Sequence, residues 1–271
     1  MYQYRPVFNS TPPVVKNLII INVLLLLATW VLEKTGIDLT RILGYYYPAS
    51  DHFRPHQIIT HIFMHGGITH LFFNMFALWM FGRVLESVWG PKRFFIYYFV
   101  TGLGAVALHT FVNYLEISSM QHTIDAFVNT PSPEVLDKFV KNHLPNSSSQ
   151  VKDFIISWYN NPSDQAFAPE GQNLMERILQ MKIDVPTVGA SGAVYGVLLA
   201  FGMLFPNTQL MLIFPPIPIK AKYFVMGYGA IELYLGFTQP GSNIAHFAHL
   251  GGMLFGFLLI KYWNKTHRSF F

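Results

Sequence analysis

Four small residues, Gly189-Ala190-Ser191-Gly192, open an apolar run that continues to Phe205. The first amides of a helix have no intrahelical partner, and the helix dipole makes that end electropositive. A serine at such a start has its hydroxyl beside donors able to hold an oxyanion, and glycines on either side let a substrate backbone approach. The structural alternative is a capping serine among residues chosen for close helix packing. The nucleophile elbow of α/β hydrolases needs a second glycine two residues after the serine and a strand before it. Ala193 occupies that position and the preceding segment is polar, so that fold is excluded. Two imidazoles, His246 and His249, open another apolar run within Ala245-His246-Phe247-Ala248-His249-Leu250-Gly251-Gly252. Three residues apart, they share one helix face. A serine hydroxyl is a poor nucleophile unless a base takes its proton, and by spacing alone either histidine can be that base. His70 and Asn74, spaced i, i+4, project from one face of a third segment, and both can donate a hydrogen bond. His61 and His65 lie just upstream and read as a hydrogen-bonded loop scaffold. Glu232 is the only acid in its apolar run; it is expected to face protein or water and is given no role.

The elements that position these residues follow from composition. The chain has 271 residues, 52% of them apolar and 12% charged, against about 25% charged in a soluble domain. The apolar residues fall in blocks separated by polar segments, as membrane spans do. Lys and Arg sit beside these blocks and form no stripe, which excludes nucleic acid as a partner. With no cysteine, disulfide and thiolate chemistry are excluded. The polar N-terminal segment Met1 to Lys16 lacks a signal-peptide pattern, so the first apolar block is expected to remain as a helix.

Six helices are expected, at Leu18–Leu32, His70–Val88, Phe94–Tyr114, Ser191–Phe205, Tyr223–Phe237 and Ala245–Trp263. The fold class is all-α, a polytopic membrane protein with a six-transmembrane-helix bundle. A polar insertion, residues 115–188, separates the third helix from the fourth; its prolines and serine run suggest partial order at most, with two short amphipathic helices near Glu134–His143 and Leu174–Ile183. Ten of the 18 Lys and Arg fall on the side of the two termini, with Glu86 the only acid there. The positive-inside rule then puts both termini in the cytoplasm and the insertion outside. The fourth helix is odd: fifteen residues rise only about 22 Å, against a hydrocarbon core of about 30 Å. Its Gly-Ala-Ser-Gly start therefore lies below the outer surface, where exposed backbone is tolerated only beside protein or a water-filled cavity.

His-x-x-x-Asn on one helix, Gly-x-Ser-Gly opening a later one and Ala-His-x-x-Gly-Gly opening the last together resemble the rhomboid family of intramembrane serine proteases. His61-x-x-x-His65 with His70, and Leu85-Glu86-x-x-Trp89-Gly90 followed by Arg93-Phe94, match it too. The resemblance spans all six helices but neither the insertion nor the first 17 residues. In the loop where the family usually carries Trp-Arg, His56-Gln57 stand. The resemblance implies residues 1–271 as one rhomboid membrane domain, with Ser191 as nucleophile and His249 as general base. It places His70, Asn74 and the Ser191 amide around the oxyanion, with Gly189 and Ala190 beside them. It also stacks Tyr195 on the catalytic histidine, and Gly192, Gly196, Gly252 and Gly256 would let the fourth and sixth helices approach. No acid lies near His249 in sequence, so a two-residue Ser-His pair is expected, its histidine oriented by packing. Substrates would be transmembrane proteins cut in or near their spanning helix, in the lipid bilayer of a bacterial inner membrane, with no cofactor or metal. Two readings compete: an inactive rhomboid relative that binds or escorts membrane proteins, which would typically lack the serine or the histidine, and a metal-dependent protein using the histidines, which has no His-Glu-x-x-His.

Overall fold

The computed structural model describes residues 11–211, 216–239 and 245–266. Parts of the terminal segments counted for topology, Arg5 and Arg268 among them, lie outside these residues. The described chain is mostly helical. Helix α1 spans Pro13–Glu33, α2 Ile68–Trp89 and α3 Pro91–Asn129. These three are long and apolar enough to cross a membrane by themselves. Then come α4 Pro133–His143, α5 Ser149–Asn160, α6 Phe167–Ile183, α7 Ser191–Leu204, α8 Ala221–Thr238 and α9 His246–Thr266. A short antiparallel pair, β1 Gln209–Met211 and β2 Pro218–Lys220, joins α7 to α8, a detail that an all-α reading omits.

Glu86 explains how α1 docks on α2. Its buried carboxylate accepts from the free first-turn amides of Val14 at 2.9 Å and Val15 at 2.8 Å. This is a charge-assisted cap supplied from another helix. Midway along α2 a π-turn at Leu78–Gly82 shifts the helix face, placing Phe81 against Phe201 of α7. Gly90, at φ 78°, makes the break before α3, a conformation for which glycine carries no steric penalty.

The centre of the bundle is α7, α9 and the lower half of α3, held by absent side chains. A methyl group on Gly252 would collide with the Gly192 carbonyl, and one on Gly192 would collide with Ala105. Gly196 and Gly256, expected to join the fourth and sixth helices, instead face α3: Gly196 meets Thr101, and Gly256 meets Tyr97. The Tyr97 hydroxyl donates to the Gly196 carbonyl at 2.8 Å. The small residues thus serve three helices rather than two.

The insertion corrects the sequence reading. Helix α3 runs fifteen residues beyond Tyr114, to Asn129, because no glycine or proline follows Gly104 within it. Its upper end and helices α4, α5 and α6 enclose a second core, with Met120, Phe127, Leu136, Trp158, Met175 and Ile178 at its centre. The prolines that suggest partial order sit at helix boundaries: Pro133 and Pro169 in first turns, Pro145 and Pro162 just past helix ends. Pro133 is the first residue of α4, behind a Ser132 cap that accepts from Val135 N, a position that suits its missing N–H.

Candidate active site

Three contacts hold the segment that leads into Ser191. Ser50 Oγ donates to Asp184 Oδ1 at 2.6 Å. Tyr45 and Thr187 exchange backbone hydrogen bonds of 3.0 and 2.7 Å, and the Gly189 amide donates to the His61 carbonyl at 2.9 Å. Gly189 has φ 128°, which other residues rarely adopt. The loop between α1 and α2 is thereby tied to the start of α7. Gln57 stiffens that loop from inside: fully buried, its amide donates to the His52 carbonyl at 3.0 Å while its oxygen accepts from Arg54 N at 2.9 Å. The sequence offered His56-Gln57 only as a departure from the family's Trp-Arg pair; a buried side-chain amide can answer several loop backbone groups at once.

Ser191 is the first residue of α7, behind Ala190, which is buried. Within the helix the first amide with a backbone partner is that of Val194, bonded to Ala190 O at 2.9 Å. The amides before it point out of the helix end, where an anion would be favoured. Ser191 Oγ lies 2.9 Å from His249 Nε2, across 58 residues of sequence. The His249 ring stacks on Tyr195, one turn into α7, with centroids 4.1 Å apart and planes 4° from parallel. His246, which spacing left as an equal candidate, instead turns its Nδ1 to Glu232 Oε2 at 2.6 Å.

Glu232 departs from the sequence reading. The sequence alone assigns it no role and predicts a pair without a carboxylate, because no acid neighbours His249 there. The fold brings Glu232 there from α8. Its Oε2 lies 3.0 Å from His249 Nδ1, and the Tyr195 hydroxyl donates to its Oε1. The available signal was its isolation, since an acid in a membrane helix is costly and calls for partners. Glu232, His246 and His249 also offer three donor atoms within 4.8 Å of one another, a set able to hold a cation.

His70 and Asn74 project from α2 toward the same region. The His70 Nε2 edge packs on Gly189, 2.9 Å from where a side chain there would begin. Its Nδ1 accepts from Gly66 N at 3.4 Å. Asn74 is buried and spends one N–H on the His70 carbonyl at 3.0 Å, leaving the other. His61 is buried in the loop, its ring Nδ1 2.9 Å from the Gln57 carbonyl. Burial holds that imidazole below the ordinary histidine pKa, so it is neutral and donates. His65 packs edge-on against His70, with ring centroids 5.0 Å apart.

A helical bundle with membrane-length spans, and a half-buried serine paired with a buried histidine at a helix start, defines a multi-pass integral membrane protein with a candidate serine and histidine site. The Rhomboid domain profile matches residues 52–119 and 163–265, more than half of the chain. The chain belongs to the rhomboid family. Rhomboid protein 1, mitochondrial, of Saccharomyces cerevisiae is 24% identical over 210 residues, covering 78% of this chain and 42% of that protein. RHOMBOID-like protein 12, mitochondrial, of Arabidopsis thaliana is 27% identical over 201 residues, 73% of this chain and 44% of that one. Rhomboid protease GluP of Bacillus subtilis is 39% identical over 59 residues, 21% of this chain and 12% of GluP. The chain thus spans less than half the length of each of these three relatives. The family match breaks between residues 119 and 163, within the insertion.

Proposed function

We propose that this chain is an intramembrane serine endopeptidase that cleaves transmembrane proteins in or near their spanning helix. The observation that carries this reading is the Ser191 hydroxyl 2.9 Å from His249 Nε2 at the start of a short buried helix. In this mechanism His249 Nε2 accepts the Ser191 proton as Oγ attacks the scissile carbonyl. The resulting oxyanion meets the Ser191 amide and the side chains of His70 and Asn74, with Gly189 and Ala190 shaping the approach. His249 then returns its proton to the leaving amine, and water hydrolyses the acyl-enzyme by the same route. Tyr195 keeps the imidazole plane in place through both steps.

Around this site we propose six spans, both termini on the cytoplasmic face, and residues 115–188 as an extracytoplasmic insertion in a membrane domain covering residues 1–271. The mitochondrial relatives weigh against confining the chain to a bacterial inner membrane. Cysteines introduced at Ser148 and Ser269 test the orientation with an impermeant maleimide; labelling at Ser269 but not Ser148 would overturn it. The activity is tested on a model transmembrane substrate in detergent. Ser191→Ala and His249→Ala should each fall to background, and the double variant should be no worse, because the two act as a unit. Full cleavage by Ser191→Ala would refute the reading. Complete loss of wild-type activity on adding a chelator would favour a metal at the Glu232, His246 and His249 cluster instead.

A further inference from the structure

We infer that Glu232 is a positioning residue for the Ser191 and His249 pair, so that this chain works as a serine, histidine and glutamate set; the inference rests on the protease reading above. Glu232 lies twelve residues into α8 and is only 6% exposed. A carboxylate at that depth is retained only with good partners. Its partners are the catalytic elements themselves. Oε1 accepts from Tyr195, the ring on which His249 stacks. Oε2 faces His246 Nδ1 at 2.6 Å and His249 Nδ1 at 3.0 Å. An ionised carboxylate can only accept, so His246 carries its proton on Nδ1.

The tautomer of His249 follows from its task. To take the Ser191 proton, Nε2 must be bare, so the neutral ring carries its proton on Nδ1, the edge that faces Glu232. That Nδ1 has no well-aligned hydrogen-bond acceptor, because Oε2 lies off the N–H direction. When the proton moves from Oγ to Nε2, positive charge appears on the imidazole beside the carboxylate, which stays ionised and stabilises it. One side chain therefore sets the stacking ring, the tautomer and the charge of the base. The structural alternative is that Glu232 only fastens α8 to the bundle.

The other titratable groups around His249 are Tyr195 on α7, Tyr228 on α8, His246 on its own helix, and His70 and His109, on α2 and α3, near enough to sense its charge. Of these, Tyr195 and His246 also touch Glu232, so the profile of Glu232→Gln is read against Glu232→Asp, which keeps the charge. The test is the pH dependence of kcat/KM for cleavage of a model transmembrane substrate by wild type, Glu232→Gln, Glu232→Asp and Ser191→Ala. Glu232→Gln keeps the shape and removes the charge. It should lower kcat by roughly 10- to 100-fold with KM little changed, and should move the acid limb to lower pH by about one to two units. Glu232→Asp should keep the acid limb near the wild-type position and lose rate, because the shorter side chain draws the carboxylate away. A Glu232→Gln enzyme with wild-type kcat, or one that is slower with its acid limb unmoved, overturns the inference. If Glu232→Gln does not fold, as judged by its thermal melt, Glu232→Asp decides: reduced kcat with an unmoved limb supports the inference, and undiminished kcat overturns it. Full cleavage by Ser191→Ala would remove the protease reading itself; loss there beside an unaffected Glu232→Gln removes only the role of Glu232.

Discussion

Adding one methyl group at Gly252 should damage this site more than its size suggests. A β-carbon there meets the Gly192 carbonyl, backbone against backbone, and neither can rotate away. Helices α7 and α9 must part by a distance on the order of 1 Å. Overpacking of this kind costs about 1–3 kcal/mol, which lowers Tm by roughly 2–12 °C in a chain of about this size. Ser191 immediately precedes Gly192, and His249 lies one helical turn before Gly252, so the same separation opens the 2.9 Å contact between them. A misplacement of about 1 Å is worth about 100-fold in rate. The assay is kcat on a model transmembrane substrate beside a thermal melt in the same detergent. Two glycines of α8 calibrate it. At Gly229 the nearest atom is the terminal methyl of Met253, at 3.3 Å, which can move; at Gly227 nothing lies within 4 Å. Gly229→Ala should cost little, and Gly227→Ala should leave kcat unchanged and gain about 0.5–1 kcal/mol of helix preference. A Gly252→Ala protein with wild-type kcat and Tm would refute the reasoning.

Two further outcomes are expected. Asn74→Ala should lower kcat by roughly 10- to 100-fold with KM little changed, because the helix-start amides remain to share the oxyanion; steady-state kinetics showing an unchanged kcat would remove Asn74 from the site. Trp158→Ala in the insertion deletes a ring packed between Phe127 and Phe167. It should destabilise that core by about 3–5 kcal/mol, seen as faster amide exchange in α4 to α6, while cleavage of a short model substrate stays measurable.

The apolar blocks made the helices of the bundle legible, and the Gly-Ala-Ser-Gly start of α7 was legible because a short apolar run cannot cross a bilayer alone. What the sequence hid was non-local. Glu232 and His249 are neighbours only because α8 and α9 fold back on each other, so a search for acids close in sequence to His249 could not find the carboxylate. Gly196 and Gly256 were correctly read as close-approach positions but paired with the wrong helix, since spacing tells which face a glycine is on and not what it meets. In the insertion, polar composition conceals a core. Met120, Ile124 and Phe127 recur at helical spacing, and that period was the stronger signal.

Helix α3 has thirty-nine residues, which at 1.5 Å each make a rod of about 58 Å, nearly twice the thickness of a hydrocarbon core. Its lower half places Ala105 against the backbone of Gly192 and Gly251, and its upper half builds the insertion core. With no glycine or proline after Gly104, the rod has no built-in hinge between the two. It therefore acts as a lever arm of roughly 38 Å from Gly104 to Asn129. A tilt of only about 1° carries the insertion end through roughly 0.7 Å. Any weight that settles on the insertion is felt as torque at the seam where the serine and histidine helices meet.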